Sequence, residues 1–209
     1  MRGVSDGRLI HHYGEVFTMN LKTRRLVESA IMLAVATLMS VLSFQGPWAL
    51  GGSITICSML PLVFVAQRYG TKWGLFTAFV YSLLQLLLGV KNVYYATSFI
   101  MAVGIIMLDY ILPFTALGLS AAFNKMISNR RAAIAVGILV TFSLRFICHF
   151  FSGWIIWEAM WPNELGWAAP LWSFVYNGSY MLPEIIITEI AALLLYKPLE
   201  KYWLGKDLV

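Results

Sequence analysis

Three polar side chains stand out in an otherwise apolar chain: Asp109, His149 and Asn177, each on a separate apolar stretch. Counted from the expected outer end of its stretch, each lies about nine or ten residues in. At ~1.5 Å rise per residue, that puts all three roughly 14 Å below one membrane surface. Ionisable groups in hydrocarbon are costly, so they face a cavity or a partner. A carboxylate, an imidazole and an amide at one level can bind a small polar molecule. The carboxylate pairs with positive charge and the other two satisfy polar edges that are expensive to bury alone.

Catalytic readings fare worse. The chain has no GxxxxGK[ST] phosphate loop, and its histidines are His11, His12 and His149, with no HExxH or Cys/His ligand set. Ser152 and Ser173 have no nucleophile elbow around them. An Asp109–His149 acid/base pair is the remaining enzymatic reading, and no oxyanion hole or metal set accompanies it.

His149, Gly153 and Trp157 recur every four residues and so share one stripe of a helix. The glycine between an imidazole and an indole leaves a slot for a planar ligand, and the indole face suits a cation. A helix-packing glycine beside an interfacial tryptophan is the alternative for these two. The acids point the same way as the stripe: Asp109, Glu158 and Glu164 all fall in the expected outer half, which favours a cationic visitor. Glu158 and Glu164 read individually as solvated groups near a helix end. Arg145 and Glu184 lie deeper, at nearly equal levels, and are expected to form a buried structural ion pair between two helices.

These residues need helices to hold them. Hydrophobic residues make up 60% of the 209 and charged residues 12%, with mean hydropathy +0.75. Soluble domains carry about 25% charge, so the chain is expected to be an all-α integral membrane protein. Runs long enough to span fall at 25–44, 54–69, 73–90, 98–123, 132–158 and 169–196, giving six transmembrane helices in a single domain over 19–209. Thirteen of the fifteen Lys and Arg residues fall on one side of this layout, leaving Lys91 on the other and Arg145 inside a helix. The positive-inside rule then puts both termini in the cytoplasm. The +5 net charge is therefore a topology signal, reinforced by anionic lipid, and not a sign of nucleic acid. Cys57 and Cys148 both fall within expected helices and read as small apolar residues. Residues 1–18 are polar, lack a secretory apolar stretch, and read as a disordered extension ahead of an alternative start at Met19.

Read in order, the motifs are Leu108-Asp109-Tyr110, Leu144-Arg145-Phe146, His149-Phe150-Phe151-Ser152-Gly153 with Trp157, and Tyr176-Asn177-Gly178-Ser179-Tyr180-Met181-Leu182-Pro183-Glu184. With the Arg68-Tyr69-Gly70 turn, this set resembles the thiamine transporter family over roughly residues 20–200. Its members are thiamine-specific substrate-binding (S) components of energy-coupling factor (ECF) transporters. The resemblance implies a thiamine pocket open to the outside between helices four, five and six, with Asp109, Tyr110, His149, Gly153, Trp157 and Asn177 on the binding face. It also implies a transmembrane coupling protein and two ATPase subunits as partners, in a bacterial cytoplasmic membrane, with no cofactor, metal or enzymatic activity in this subunit. Docking in that family uses small residues on the first helix, and Ala30-x-x-x-Ala34 fits.

The chain departs from the family in two places. Trp172 stands where many relatives have Tyr, losing a hydroxyl while keeping an aromatic wall. Gly51-Gly52 stands where some relatives carry an aromatic, and Trp48 nearby is a substitute. Trp48 and Tyr95 are candidate lid residues. The closest competing function is an S component for another vitamin or a precursor, such as riboflavin or hydroxymethylpyrimidine. A transporter acting alone would be expected to show repeat symmetry or broken helices, and neither is evident.

Overall fold

The computed structural model describes residues 20–44, 46 and 52–208. The expected extension 1–18, the alternative start at Met19, the lid candidate Trp48 and Gly51 lie outside the described residues. The described chain is almost wholly helical. Helix α1 (Leu21–Val41) begins at Asn20, whose side chain accepts the Lys22 N–H at 3.0 Å and so caps the helix. After α1 come α2 (Leu60–Tyr69), α3 (Thr71–Leu88), a tight 3-10 segment (Val90–Tyr95), α4 (Phe99–Lys125), α5 (Arg130–Met160), α6 (Ala169–Tyr196) and a short α7 (Glu200–Trp203). Ser98 and Asn129 cap α4 and α5 by accepting backbone N–H groups.

Four of these helices, α3 to α6, are long and apolar enough to cross a membrane. The span expected at 54–69 is corrected. Ile54–Thr55 is a strand (β2) paired antiparallel with Ser43–Phe44 (β1), and α2 starts only at Leu60. The β-branched run Ile54-Thr55-Ile56 favours extended backbone. Pro61 then suits a first helical turn, and Cys57 turns the chain with a φ of 58°. Cys57 therefore lies in a turn and not in a helix. At ten residues α2 is roughly 15 Å long, half a bilayer core. The same hairpin ends α1 at Val41, short of the expected residue 44.

Helices α3, α4 and α5 touch backbone to backbone. A Cβ added to Gly118 would fall on the backbone of Gly74 and Leu75, and one added to Gly137 would fall on the Ser120 carbonyl. Small residues let helices approach closely where no water competes for them. The core beneath is apolar, built on Leu62, Val63, Ile105, Leu117, Ile138 and Phe142. Many large apolar side chains, including Phe99, Ile100 and Leu194, are exposed. A water-soluble monomer rarely shows so much apolar surface, and lipid covers it without penalty.

Away from the site, Arg68 donates to Glu28 (2.7 Å) and to both carboxylate oxygens of Asp207 (2.6 and 2.8 Å), tying α1, α2 and the tail together. Arg24 joins the same cluster through Glu28 and Asp207. Ala30 and Ala34 are both exposed on α1.

Candidate functional site

Two helices change winding where the candidate residues sit. In α4 the Leu112 N–H reaches back five residues to the Met107 carbonyl, and in α5 the Glu158 N–H reaches the Gly153 carbonyl. These are π turns, over Ile106–Ile111 and Ser152–Trp157. Such turns concentrate at functional sites. In α4 the cause is legible. Pro113 has no N–H for the Asp109 carbonyl four residues earlier, so the helix widens there. In α5 the wide turn has a geometric effect. On an ideal α-helix a four-residue repeat drifts by about 40° per step, and a π turn advances less per residue. His149, Gly153 and Trp157 thereby stay on one side.

The two π turns face each other. Trp157 Nε1–H donates to Asp109 Oδ2 at 2.8 Å, and His149 Nδ1 lies 3.3 Å from Asp109 Oδ1. The Asp109 and His149 side chains are each only 13% exposed. With Nδ1–H turned to the carboxylate, Nε2 is left as an acceptor, and it is buried with no partner among the described residues. The carboxylate is therefore fixed in place by two groups before any ligand arrives.

A cavity of about 450 Å³ opens at this carboxylate, with an adjoining lobe of about 80 Å³. The total suits a small organic molecule. Asn92, Asp109, His149, Trp157, Trp161 and Tyr180 line both parts. Gly153, Trp172 and Asn177 line the smaller lobe, while Tyr95 and Tyr110 line the larger. All the expected pocket residues within the described chain thus meet at one cavity.

Their roles differ in detail. Asn177 spends its amide on helix contacts, donating to Ser173 O (2.9 Å) and His149 O (3.3 Å) and accepting from the Tyr180 hydroxyl (2.6 Å). It joins α6 to α5 as well as facing the lobe. A Cβ at Gly153 would meet Ser173 Oγ and, at 3.0 Å, Asn177 Nδ2, so the glycine makes room for α6 as well as for a ligand. The Tyr110 hydroxyl donates to Gly89 O at 2.9 Å and accepts from Asn92 at 3.0 Å, bracing the segment after α3. Tyr95 sits at the mouth, half exposed, edge-on to Trp161 at 5.0 Å.

Arg145 Nη1 is 2.8 Å from Glu184 Oε2, as expected of the pair. Both residues also belong to the wall of the larger lobe. Glu184 in addition accepts from Thr55, of β2.

Sequence reasoning missed Trp161, which stacks on Trp157 (5.7 Å between centroids, 17° between planes), and Tyr180. Extending the helical spacing by one step, from Trp157 to 161 and from Asn177 to 180, would have found both. It also missed the hydroxyls of Ser53, Thr55 and Ser58 in the larger lobe. They come from a non-helical segment and follow no period.

The chain matches the family described as "Thiamine transporter protein (Thia_YuaJ)" over residues 26–203. It is 31% identical over 188 residues to the thiamine transporter ThiT of Bacillus subtilis (strain 168), covering 82% of this chain and 90% of that protein. Its fold is similar to the solved structure of ThiT from Listeria monocytogenes, with a TM-score of 0.70 and 25% identity across 88% of this chain and 99% of that one. It is also similar to the structure of an S component of a bacterial ECF transporter, with a TM-score of 0.56 and 16% identity across 87% and 98% of the two chains, a likeness of fold alone. This is a family of transporter components and not of enzymes. With its match running through α1 to α7, the chain belongs to the thiamine transporter protein family.

Proposed function

We propose that this chain is the high-affinity thiamine-binding S component of an ATP-driven ECF-type importer in the bacterial cytoplasmic membrane. It takes thiamine from the outer side into the cavity between α4, α5 and α6. The observation that carries the reading is the Asp109 carboxylate, held at the cavity wall by Trp157 Nε1 and set beside His149. Thiamine combines a permanently cationic thiazolium with an aminopyrimidine that donates and accepts hydrogen bonds. The carboxylate meets positive charge or the amino group, His149 Nε2 accepts from a ring donor, and the Trp157 and Trp161 rings offer flat faces to a flat cation.

The distribution of basic residues supports cytoplasmic termini and, with the up-and-down course of α1 to α6, a cavity directed toward the outside. Without a phosphate loop of its own, the chain relies on a coupling protein and two ATPase subunits. The exposed Ala30/Ala34 stripe on α1 offers a close-packing face for that coupling protein. Tyr95, half exposed and lining the larger lobe, closes over the bound ligand, a population shift toward an occluded state.

Titration of the purified protein with thiamine, followed by tryptophan fluorescence, tests this reading. Saturable quenching is expected in the wild type and is lost in Asp109→Ala and Trp157→Ala. A response to riboflavin or hydroxymethylpyrimidine and none to thiamine would keep the fold and overturn the ligand.

A further inference from the structure

Glu158 follows Trp157 directly and lines the smaller lobe with Asp109. By sequence it is a solvated charge near a helix end, yet its surroundings are built. One oxygen, Oε1, accepts both the Asn163 N–H (3.1 Å) and the Asn163 side-chain amide (2.6 Å). Asn163 in turn clasps Trp167 in both directions, donating to its carbonyl and accepting its N–H at 2.9 Å each. The loop 161–168 thus clamps the carboxylate in one orientation. The other oxygen, Oε2, is buried and has no hydrogen-bond partner among the described residues. An ionised carboxylate with one desolvated, unmatched oxygen is costly unless a donor or a cation meets it.

Donors such as the Trp161 and Trp172 indoles share the lobe, yet none among the described residues hydrogen-bonds this oxygen. Asp109 is already served by Trp157 and His149, and the neighbouring Trp157 and Trp161 rings carry no charge. We infer that Glu158 is a second ligand carboxylate, a specificity-determining residue that makes the site select a permanently charged ring over a neutral one of the same shape. The inference rests on the thiamine reading and extends it. Asp109 grips one part of the ligand from α4, and Glu158 meets the cation by turning its buried oxygen toward the smaller lobe that it lines. The stacked indoles of Trp157 and Trp161 line the same lobe and lower the local dielectric, which strengthens the pairing.

The test compares thiamine with its neutral isostere, in which a thiophene replaces the thiazolium. Binding of both is measured for the wild type, Glu158→Gln and Asn163→Ala. Glu158→Gln keeps the oxygen that Asn163 needs and removes the charge. It is expected to weaken thiamine on the order of tenfold and to leave the isostere within about twofold. Asn163→Ala loosens the loop and keeps the carboxylate, so it retains the preference for the charged ligand. If Glu158→Gln leaves thiamine unchanged, or weakens both ligands alike as Asn163→Ala would, Glu158 is a loop anchor only and the inference fails. A wild type that does not bind thiamine would fail earlier, at the ligand assignment itself.

Discussion

Asn at position 109 separates charge from shape. Asp109→Asn preserves size and retains one oxygen to accept from Trp157 Nε1, which lies 2.8 Å away, so the indole is not orphaned. The second position becomes an NH₂ facing His149 Nδ1 at 3.3 Å. The imidazole must then accept at Nδ1, which forces the proton onto Nε2 and turns that buried, unpartnered acceptor into a donor. The variant therefore loses a charge-assisted contact from Asp109 and inverts the polarity of His149. A hydrogen bond to a charged group contributes about 1.5–3 kcal/mol and a neutral one about 0.5–1.5, so the two changes together cost about 2–4.5 kcal/mol, or roughly 30- to 2000-fold in Kd. The assay is isothermal titration with thiamine, paired with thermal unfolding of the ligand-free protein. Unfolding is expected to move little, because the internal contacts survive. A Kd change below about fivefold in a folded variant would refute both the charge assignment and the tautomer argument.

Arg145→Met leaves Glu184 buried without its cation. That is expected to cost about 3–5 kcal/mol and to lower the unfolding temperature by roughly 6–20 °C, with partial recovery when Glu184→Gln is added. A single-variant drop under about 2 °C would show that the pair contributes little. At the other end, hydrogen bonds from the Arg68 guanidinium hold the Asp207 carboxyl well below the usual aspartate value of about 3.9. A lowered pKa in the folded state contributes stability above the unfolded value that is lost as pH falls beneath it. Stability should therefore fall below about pH 4. Asp207→Asn should be less stable than wild type at neutral pH and should lose less on acidification, which unfolding midpoints across pH 3–7 would check.

How far the sequence could be read follows from which signals are local. The helices of α3 to α6 announced themselves through length and hydropathy, because backbone in hydrocarbon must satisfy its own hydrogen bonds. Helix α6 begins and ends where its apolar run does, at 169 and 196. The hairpin of β1 and β2 did not announce itself. A two-residue strand carries no measurable period, and the β-branched Ile54-Thr55 needed Ser43-Phe44 alongside to complete a ladder. The pocket residues on helices were legible because equal depth and a four-residue stripe are properties of single helices. The Ser53, Thr55 and Ser58 lining and the clamp of Asn163 on Glu158 were not, because loops fold against whatever faces them.

The chain by itself determined that it is apolar and helical, which faces carry charge, and that a carboxylate, an imidazole and an amide lie at one level. Only the tertiary structure decided how they meet. Periodicity measures an angle around one helix axis, whereas contact between Asp109, His149 and Trp157 depends on how two axes are rotated against each other. Here that rotation comes from π turns, one of them opened by a proline four residues past the acid it positions.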